Sequence, residues 1–479
     1  GLYNSSDVRG FSPTSAGNAR IDGLYFDQVW GLNGRLRRAT TIRVGISAFG
    51  FPFPAPTGVV DYQMRRPGGD ASQSAYASID SYDWTLRAGI FRSMFDNDID
   101  HFNLIVDLTP DGAGQQFISI DPPAKTASTS GEVRLTHTFT EGPRLHGLHF
   151  SVRGRERSRQ TGGSYEADLG TIVLGQAQTA PQPTYVFGEQ TEDDVRQWIA
   201  GVGYEGRWRN GGELNLGVQY TDYEKTTAQP GLPVAISQAD LLLWNAALAI
   251  NIRPDLVVYG GAAIGLEESG IAPISAANRN AALPAIETEQ WEAGLRWRIT
   301  PELRLIAGVF DVRKPYFNLD EASIWRELGK VRNRGAELSL SGQIRPGLTI
   351  VAGAILLDAE VTGEGVVLGR VGERPVGSTP TTLLFSVDWA PQSLAGVSLD
   401  LGVSYSGDIV ATRDNLVEIP ARTTLDLGVR YPFRFGETSA SVRLQVTNVT
   451  DEQGFDLRGS GAYDIIQGRV VTLSLAADF

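Results

Sequence analysis

Hydrophobic and polar residues alternate with a period of two along most of the chain, most clearly in its second half. Examples are the segments 214–221, 291–299, 397–405 and 425–431. Because successive side chains of a β-strand point to opposite faces, each segment predicts a strand with one apolar and one polar face. A soluble sandwich alternates in the same way as a membrane barrel, so this pattern alone leaves both folds open.

The connections between these strands alternate between short and long from residue 209 onward. The short connections are 209–212, 253–254, 300–301 and 345–346. The long ones are 225–239, 266–287, 315–330, 359–377, 409–421 and 450–467. In an up-and-down meander this order places every long loop at one end, as in outer-membrane barrels with short periplasmic turns and long external loops. Soluble sandwiches seldom keep that asymmetry over so many hairpins, so the connections favour a barrel.

Two tryptophans support the barrel. Trp198 and Trp208 share one face of a predicted strand with Ala200, Val202 and Tyr204 between them. Their separation is about 33 Å along a strand, or about 25 Å along the membrane normal at the usual tilt. This spacing is typical of two aromatic girdles that flank an apolar band. The alternative is that both side chains fill the core of a sandwich.

About eighteen strands can be counted after residue 71. They are expected near 72–80, 83–95, 101–109, 131–140, 145–158, 195–208, 213–224, 240–252, 255–265, 288–299, 302–314, 331–344, 347–358, 378–390, 397–408, 422–434, 437–449 and 468–479. The even count places both ends of the wall on one side of the membrane. The irregular stretch 159–194 holds either another hairpin, with 169–174 as a candidate strand, or a large external loop.

Residues 7–67 are the only long stretch without clean alternation. They are rich in Gly, Pro, Asn, Asp and Arg, which predicts turns with short strand pieces. We therefore predict an all-β protein in which this stretch is a plug and the remainder is a transmembrane antiparallel barrel around it.

Composition narrows the possible functions. No apolar run is long enough for a transmembrane helix, but a barrel strand faces lipid only at every second residue, which fits a mean hydropathy of −0.14. The chain contains no cysteine, so no disulfide framework or thiolate metal site is expected. The net charge of −13 argues against nucleic acid as a partner. The chain begins at Gly1 without a leader, as in a mature, trimmed or fragmentary form.

Short motifs that occur in order along nearly the whole chain resemble those of TonB-dependent outer-membrane receptors. In the plug they are Val8-Arg9-Gly10-Phe11, Ile21-Asp22-Gly23-Leu24-Tyr25, Thr41-Ile42-Arg43-Val44, Pro56-Thr57-Gly58-Val59-Val60-Asp61-Tyr62 and Arg65-Arg66-Pro67. In the wall they are Glu292-Ala293-Gly294-Leu295-Arg296, Arg334-Gly335-Ala336-Glu337-Leu338, Thr447-Asn448-Val449-Thr450-Asp451 and Gln467-Gly468-Arg469. A last strand that ends on Phe479 is similar to the signal by which such barrels are recognised for assembly.

The resemblance implies a plug domain at 1–70, of which only the C-terminal part is present, and an outer-membrane barrel domain of 22 strands at 71–479. Such a receptor imports a scarce nutrient with energy passed on by TonB. Three features depart from the family. The segment that binds TonB is expected to be missing, and the family's third plug motif is matched only loosely by Arg43-Val44-Gly45. The eighteen countable strands also fall short of 22, between 159 and 240, so either weak strands are overlooked or the barrel is shortened.

By the same resemblance, ligand meets two apical loops of the plug, which follow Arg9-Gly10-Phe11 and Asp22-Gly23. The candidate ligand-binding residues are Thr14, Ser15 and Asn18 in the first loop and Gln28, Trp30 and Asn33 in the second. Trp30 is the strongest candidate, because an aromatic ring can stack on a chelate ring or sugar face; alternatively, it packs against the wall. The proline-rich run 51–56 predicts a stiff segment of the plug first and a ligand surface second.

Arginines of the plug are expected to pair with carboxylates of the wall, because polar contacts can dock a plug that must later move. The candidate arginines are Arg35, Arg37, Arg38, Arg43, Arg65 and Arg66. The candidate carboxylates are Glu205, Glu292, Glu337, Asp400 and Asp426. Each pair alone contributes about 0–1 kcal/mol when it is solvated, so docking would depend on many of them.

No catalytic motif is recognisable, and we expect neither an enzyme nor a cofactor or metal site. His146 and His149 would lie on opposite faces of one strand and form no metal pair.

The favoured hypothesis is a monomeric importer in the bacterial outer membrane that takes up a ferric siderophore with TonB and contacts outer-membrane lipid and lipopolysaccharide. A carbohydrate, cobalamin or another metal chelate is the alternative cargo. A passive porin or a structural or adhesion barrel is the alternative from a different class.

Overall fold

A computed structural model describes residues 2–65, 76–81, 83–109, 111–176, 179, 181–270, 272, 276–279, 281–394, 396–436, 438–458 and 461–478. Arg66, Pro67 and Phe479, which belong to predicted motifs, lie outside the described residues, as does the start of the first predicted wall strand. Within the described part, no helix is long and apolar enough to cross a membrane.

Residues 2–65, called the plug below, form a small mixed sheet. Its strands are β1 (Ala19–Ile21), β2 (Leu24–Tyr25), β3 (Arg37–Arg43) and β4 (Val59–Met64), and a 3-10 helix (Gly45–Ala48) follows β3. The strand order is β2-β1-β4-β3, with β1 and β4 parallel. Asp22 and Gly23 both have positive φ and form the two-residue turn between β1 and β2. Ala19, Phe26, Val60 and Tyr62 pack together as the core of the sheet.

The rest of the chain consists almost entirely of strands. The first half contains β5 (Tyr76–Ser81), β6 (Trp84–Asn97), β7 (Asp100–Val106), β8 (Ala113–Asp121), β9 (Ala124–Glu141), β10 (Arg144–Thr161), β11 (Tyr165–Val173), β12 (Thr191–Trp208), β13 (Gly212–Ala228), β14 (Ala235–Arg253) and β15 (Leu256–Glu267). The second half contains β16 (Ile286–Arg298), β17 (Leu303–Leu319), β18 (Trp325–Arg345), β19 (Leu348–Gly363), the short helix α1 (Glu364–Val367), β20 (Thr381–Trp389), β21 (Ser398–Ser406), β22 (Ile409–Val410), β23 (Glu418–Ile419), β24 (Arg422–Phe435), β25 (Thr438–Thr447), β26 (Phe455–Leu457), β27 (Tyr463–Ile465) and β28 (Val470–Asp478).

Seventeen of these strands close into a barrel, called the wall below, and the others form small sheets in the loops. The predicted strand at 101–109 exists as β7, but it belongs to a three-stranded sheet with β8 and β11 rather than to the wall. The candidate strand at 169–174 is part of β11 and joins the same loop sheet, so it is not another wall hairpin. Within the described residues, the wall therefore has one strand fewer than the eighteen counted from the sequence and fewer than the 22 implied by the resemblance. A loop strand alternates like a wall strand, which explains the miscount.

The short and long connections lie at opposite ends of the wall, as predicted. Two of the predicted long loops are nevertheless shorter than expected. Strand β13 continues to Ala228 and β14 starts at Ala235, while β17 reaches Leu319 and β18 starts at Trp325. At this end, which we call the external end, the strands continue beyond the apolar band, and most of the predicted loop is strand.

The wall is apolar outside and carries many polar side chains inside. Trp198 and Val202 point outward and are 42% and 52% exposed, and Trp208 lies on the same face at the opposite end of β12. On the neighbouring strand β13 the inward side chains of Asn215, Thr221 and others are polar and buried. The predicted girdle geometry is therefore present on β12, and the inner face is lined by groups that can contact the plug.

We predict that a charge placed at the middle of the outward face destabilises the barrel in lipid. Val202→Arg puts a guanidinium midway between Trp198 and Trp208 and should cost about 2–4 kcal/mol, whereas the control Asp194→Arg near the external end should cost about 0–1 kcal/mol. Denaturant titration of folding into lipid vesicles measures both values. Equal costs for the two variants would contradict the assignment of the outward face to lipid.

Candidate functional site

The sequence Val8-Arg9-Gly10-Phe11 folds into a tight turn that presents one arginine to the wall. Val8 and Phe11 exchange backbone hydrogen bonds of 2.7 and 3.0 Å, and Arg9 and Gly10 between them have φ of 57° and 79°. Both values fit the two-residue turn that reverses an antiparallel ladder. The turn directs the Arg9 side chain away from the plug and toward strands β16–β18.

Arg9 lies between two glutamates of the wall. Its Nη1 is 2.6 Å from Oε2 of Glu292 and its Nη2 is 2.7 Å from Oε1 of Glu337, while the residue is only 1% exposed. The guanidinium carbon also lies 4.7 Å from the centre of the Phe310 ring. Although burial alone would lower it, the two glutamates raise the pKa of Arg9 above its ordinary value. A charge desolvated to this degree requires these partners, and we call the three charged residues the Arg9 ion-pair site.

Neighbouring groups hold the Arg9 ion-pair site in place. The Asn333 side-chain amide donates a 2.9 Å hydrogen bond to the Arg9 carbonyl, and the Tyr3 hydroxyl donates to Glu337. Burial, together with the Glu337 charge, raises the pKa of Tyr3, so its hydroxyl keeps the proton that it donates. At Gly10 a Cβ would lie 2.4 Å from the Asn333 amide nitrogen, and the positive φ also favours glycine there.

A second set of contacts joins the plug to strands β9 and β10. The backbone amide of Tyr25 donates to Oε2 of Glu132 at 2.9 Å, and Arg134 donates to the Gly23 carbonyl at 2.9 Å. Arg155 of the wall donates to Oδ1 of Asp27 at 3.0 Å. These hydrogen bonds satisfy plug groups that its own small sheet leaves unpaired.

Arg20, in the middle of the plug, has no carboxylate within ion-pair distance in the part of the chain that the structure describes. It is 1% exposed, donates to the Ala19 carbonyl, and lies 5.0 and 5.9 Å from the centres of the Tyr25 and Phe51 rings. Burial, followed by the nearby charge of Arg153, lowers the pKa of Arg20 to about 9. This part of the plug–wall contact is consequently less favourable electrostatically than the Arg9 ion-pair site.

The hypothesis about the pairing arginines is wrong for the residues it named, within the described part of the chain. Arg43 pairs with Asp61 of the plug at 3.4 Å, whereas Arg37, Arg38 and Arg65 form hydrogen bonds to plug atoms. Arg35 is exposed and Arg66 lies outside the described residues. Arg9 forms the ion pairs with the wall instead. The available signal was its position in a turn between apolar Val8 and Phe11.

The predicted carboxylates divide into two groups. Glu292 and Glu337 contact the plug as expected. Glu205 pairs with Arg207 at 2.5 Å, Asp400 pairs with Arg443 at 3.2 Å, and Asp426 accepts a hydrogen bond from the backbone amide of Asn448. These last three carboxylates stabilise the wall rather than dock the plug.

The first apical loop is tied largely to the plug itself. The Thr14 hydroxyl donates to the Ser5 carbonyl at 2.9 Å, and the Asn18 amide donates to the Thr57 hydroxyl at 3.0 Å. Ser15 is exposed, and its backbone amide donates to the Ser12 hydroxyl at 3.2 Å. Ser15 is therefore the most exposed of the three predicted residues, whereas Thr14 and Asn18 are half-buried.

The second apical loop carries the most accessible aromatic side chain of the plug. Trp30 stacks on Phe95 of β6 with ring centres 4.2 Å apart and planes inclined by 12°, yet it remains 62% exposed. Asn33 is exposed, and Gln28 accepts a 2.6 Å hydrogen bond from the Tyr62 hydroxyl. Trp30 therefore packs against the wall on one face and is open on the other, which combines the two alternatives from the sequence.

The proline-rich run packs along the inside of the wall. Phe51 and Phe53 are 5% and 3% exposed, and the Asn215 amide donates to the Phe51 carbonyl at 3.0 Å. A Cβ on Gly201 would lie 3.2 Å from the Phe53 ring, so the small residue provides the space for this ring. The run contributes to plug docking.

The structure also contains a charged cluster near the external end that was not predicted from the sequence. Arg155 lies 3.1 Å from Glu268, and the fully buried Lys225 lies 3.3 Å from Asp193 and 3.4 Å from Glu268. Although burial raises it, the surrounding cations lower the pKa of Glu268, which stays ionised. Arginines at every second position of β10 were the available signal.

Within the described residues, no group of three His, Asp or Glu side chains is arranged to hold a metal ion. His146 bonds to the Tyr204 hydroxyl at 2.8 Å, whereas the buried His149 lies 3.7 Å from Glu205. The two histidines point to opposite faces of β10, as predicted.

A family model described as "TonB dependent receptor-like, beta-barrel" matches residues 2–449. The chain is 27% identical over 277 residues to the ferrichrome receptor FcuA of Yersinia enterocolitica, covering 56% of the chain and 36% of that relative. It is 30% identical over 132 residues to the metal-pseudopaline receptor CntO of Pseudomonas aeruginosa, covering 27% of the chain and 18% of that relative. The chain thus spans about a third of FcuA's length and less of CntO's.

Solved structures share the fold at low sequence identity. BauA, the ferric preacinetobactin receptor from Acinetobacter baumannii, superposes with a TM-score of 0.75 at 16% identity over 98% of this chain and 90% of that chain. The ferric-catecholate import receptor Fiu from K12 E. coli gives a TM-score of 0.71 at 13% identity with the same coverage.

We predict that Arg9→Ala loosens the plug while the wall stays closed. The substitution leaves Glu292 and Glu337 buried without a counter-charge, a change that typically costs about 3–5 kcal/mol. Hydrogen exchange of the plug amides should become faster, with wall amides unchanged. Arg35→Ala, which removes an exposed plug arginine, is the matched control and should exchange like the unmodified protein. Unchanged plug exchange in Arg9→Ala would show that these ion pairs do not hold the plug.

Proposed function

The chain belongs to the family of TonB-dependent receptor-like β-barrels, and on that basis we propose that it imports a ferric siderophore across the bacterial outer membrane. The observation that carries the proposal is a separate folded body inside a closed wall, docked through the Arg9 ion-pair site. Ion pairs and hydrogen bonds can exchange for water when the plug moves, whereas a continuous apolar contact would resist that exchange. The arrangement suits a channel that is closed at rest and opens when the plug moves.

We further propose the division into a plug domain at 1–70 and a barrel domain at 71–479. TonB supplies the energy that moves the plug, and the outward face of the wall contacts outer-membrane lipid and lipopolysaccharide. The receptor acts as a monomer, since a closed barrel leaves no sheet edge that needs a partner strand.

Iron chelates are favoured as cargo because relatives and structural neighbours are named as receptors for ferrichrome, metal-pseudopaline and ferric preacinetobactin. The proposed ligand-binding residues are Thr14, Ser15, Asn18, Gln28, Trp30 and Asn33. Ser15, Trp30 and Asn33 would contact the ligand directly because they are exposed, and the other three would hold the loops in shape. A carbohydrate, cobalamin or another metal chelate remains the alternative cargo.

A passive porin, or a structural or adhesion barrel, is the alternative from a different class. The plug argues against a porin because Phe51, Phe53 and Arg9 fill the lumen and are almost completely buried. Transport is also favoured over catalysis, since the relatives are named as receptors and the buried charges are paired across the plug–wall contact.

The function is tested with the full chain in detergent and in liposomes. Purified protein should bind at least one member of a panel of ferrichrome, ferric citrate and a ferric catecholate, measured by quenching of tryptophan fluorescence, and the iron-free compounds should bind more weakly. Liposomes that contain the protein should retain small sugars. Rapid sugar leakage without TonB, or the absence of binding to every chelate, would contradict the importer.

Trp30→Ala should weaken binding of the chelate found in that panel by about 10-fold, because the variant loses an aromatic stacking surface. Trp84→Ala is the matched control. Trp84 is 44% exposed and also stacks on a wall side chain, His137, but it lies at the opposite end of β6. Equal affinities of both variants would remove Trp30 from the binding site.

A further inference from the structure

Four consecutive inward positions of strand β10 are arginines. Arg153, Arg155, Arg157 and Arg159 occupy alternate positions, so they share the face that points into the lumen. At about 7 Å between successive members, they extend roughly 20 Å down the inside of the wall. We call these four residues the arginine ladder.

Contacts along the ladder confirm its direction. Arg153 lies 5.3 Å from the centre of the plug's Tyr25 ring, Arg155 pairs with Asp27 of the plug, and Arg157 lies 3.4 Å from Glu268 at the external end. The outward residue Val152 is 57% exposed on the opposite face. The ladder thus starts beside the plug and ends near the external end of the wall.

The neighbouring strand β9 places a carboxylate, Glu132, opposite Arg153 and hydroxyl groups opposite the other three arginines. In the backbone register of β9 and β10, the residues directly opposite Arg155, Arg157 and Arg159 are Ser130, Ser128 and Thr126, respectively. The Ser128 hydroxyl is buried and has no hydrogen-bond partner within the described residues. This unused hydroxyl beside a row of guanidinium groups suits a ligand that presents several oxygen acceptors.

Positive charge exceeds negative charge in this part of the wall. The cations are Arg134, Arg153, Arg155, Arg157, Arg159 and Lys225. The carboxylates of the wall and its loops that pair with them are Glu132, Asp193 and Glu268. A fourth carboxylate, Asp27, belongs to the plug and would leave with it. The local excess of positive charge contrasts with the net charge of −13 of the whole chain.

We propose that the arginine ladder binds an anionic ferric chelate, one that presents carboxylate or catecholate oxygens, and holds it against β10 as the plug moves. The proposal rests on the import function proposed above and specifies the charge class of its substrate. Arg157 and Arg159, whose side chains are 20% and 32% exposed, make the first contact in the resting state. Arg155 and Arg153 become available when Asp27 and Tyr25 withdraw, so the positive surface lengthens toward the periplasm.

A purely structural role accounts for the ladder less well. An ion-pair network that only braces the external loop would be balanced, whereas here a buried Arg159 Nε lacks a partner within the described residues. The planar guanidinium group of arginine can donate two parallel hydrogen bonds to one carboxylate, whereas the lysine ammonium group cannot.

The test compares chelates of different charge on the full chain. Binding of anionic ferric citrate and of neutral ferrichrome is measured by tryptophan fluorescence for the unmodified protein, Arg157→Gln/Arg159→Gln and Arg157→Lys/Arg159→Lys. The glutamine variant should bind ferric citrate about 10-fold to 100-fold more weakly, and the lysine variant should lose less because it keeps the charge. The outward-facing Arg196→Gln, from an exposed pair with Glu156, is the matched control and should not change binding.

The outcomes separate the two proposals. If the glutamine variant and the unmodified protein bind ferric citrate with equal affinity, the proposed role of the arginine ladder is wrong, but the proposed import function still stands. Tighter binding of ferrichrome than of ferric citrate by the unmodified protein would also contradict the proposed role of the arginine ladder and leave the proposed import function standing. Failure of the unmodified protein to bind either chelate, together with the catecholate of the panel, would overturn import and the ladder with it. An unchanged melting temperature of each variant excludes misfolding as the cause of lost binding.

Discussion

One buried guanidinium determines how the plug sits in the wall. Arg9 brings its charge out of water only because Glu292 and Glu337 approach it at 2.6 and 2.7 Å from two wall strands. A pair of this kind adds little net stability compared with apolar packing, but separating it without water is expensive. It therefore fixes position more than it adds affinity. Once water enters, the same three groups can be hydrated, which makes the contact reversible.

The rest of the interface is consistent with that reversibility. On the β9–β10 side, the plug is held by hydrogen bonds and by the ion pair of Asp27 with Arg155. Arg20 is buried there near Arg153, and its pKa is lowered to about 9. The apolar contacts between plug and wall are local patches. Phe53 fits against glycines of the wall, and Ile46 packs with Val257 and Tyr259. The wall, by contrast, is held by long antiparallel backbone ladders. A displacement of the plug would leave these ladders intact, because plug and wall share side-chain contacts rather than a common sheet.

The fold could be predicted from the sequence because the alternation of apolar and polar residues along a strand is a local pattern. The segments around Val403 and Val429 become β21 and β24 with apolar groups outside. Prediction from the sequence failed where a choice depended on distant partners. The stretch 101–109 alternates like a wall strand but pairs with a loop strand, and no local feature separates the two cases. The partner of Glu337 is 328 residues away, so Arg9 could not be chosen over the more conspicuous arginines of β3. Trp30 was identified, but its stacking on Phe95 required the structure.

Mechanical extraction of the plug from the barrel in a lipid bilayer tests the central claim, that a separable body is held in a wall that can persist without it. Force is applied at the N-terminal end of the chain while the barrel stays in the membrane. We expect the plug to extend first, adding roughly 220 Å for residues 2–65, before any wall strand is lost. Extraction of wall strands at the first force peak, with the plug still compact, would contradict this account.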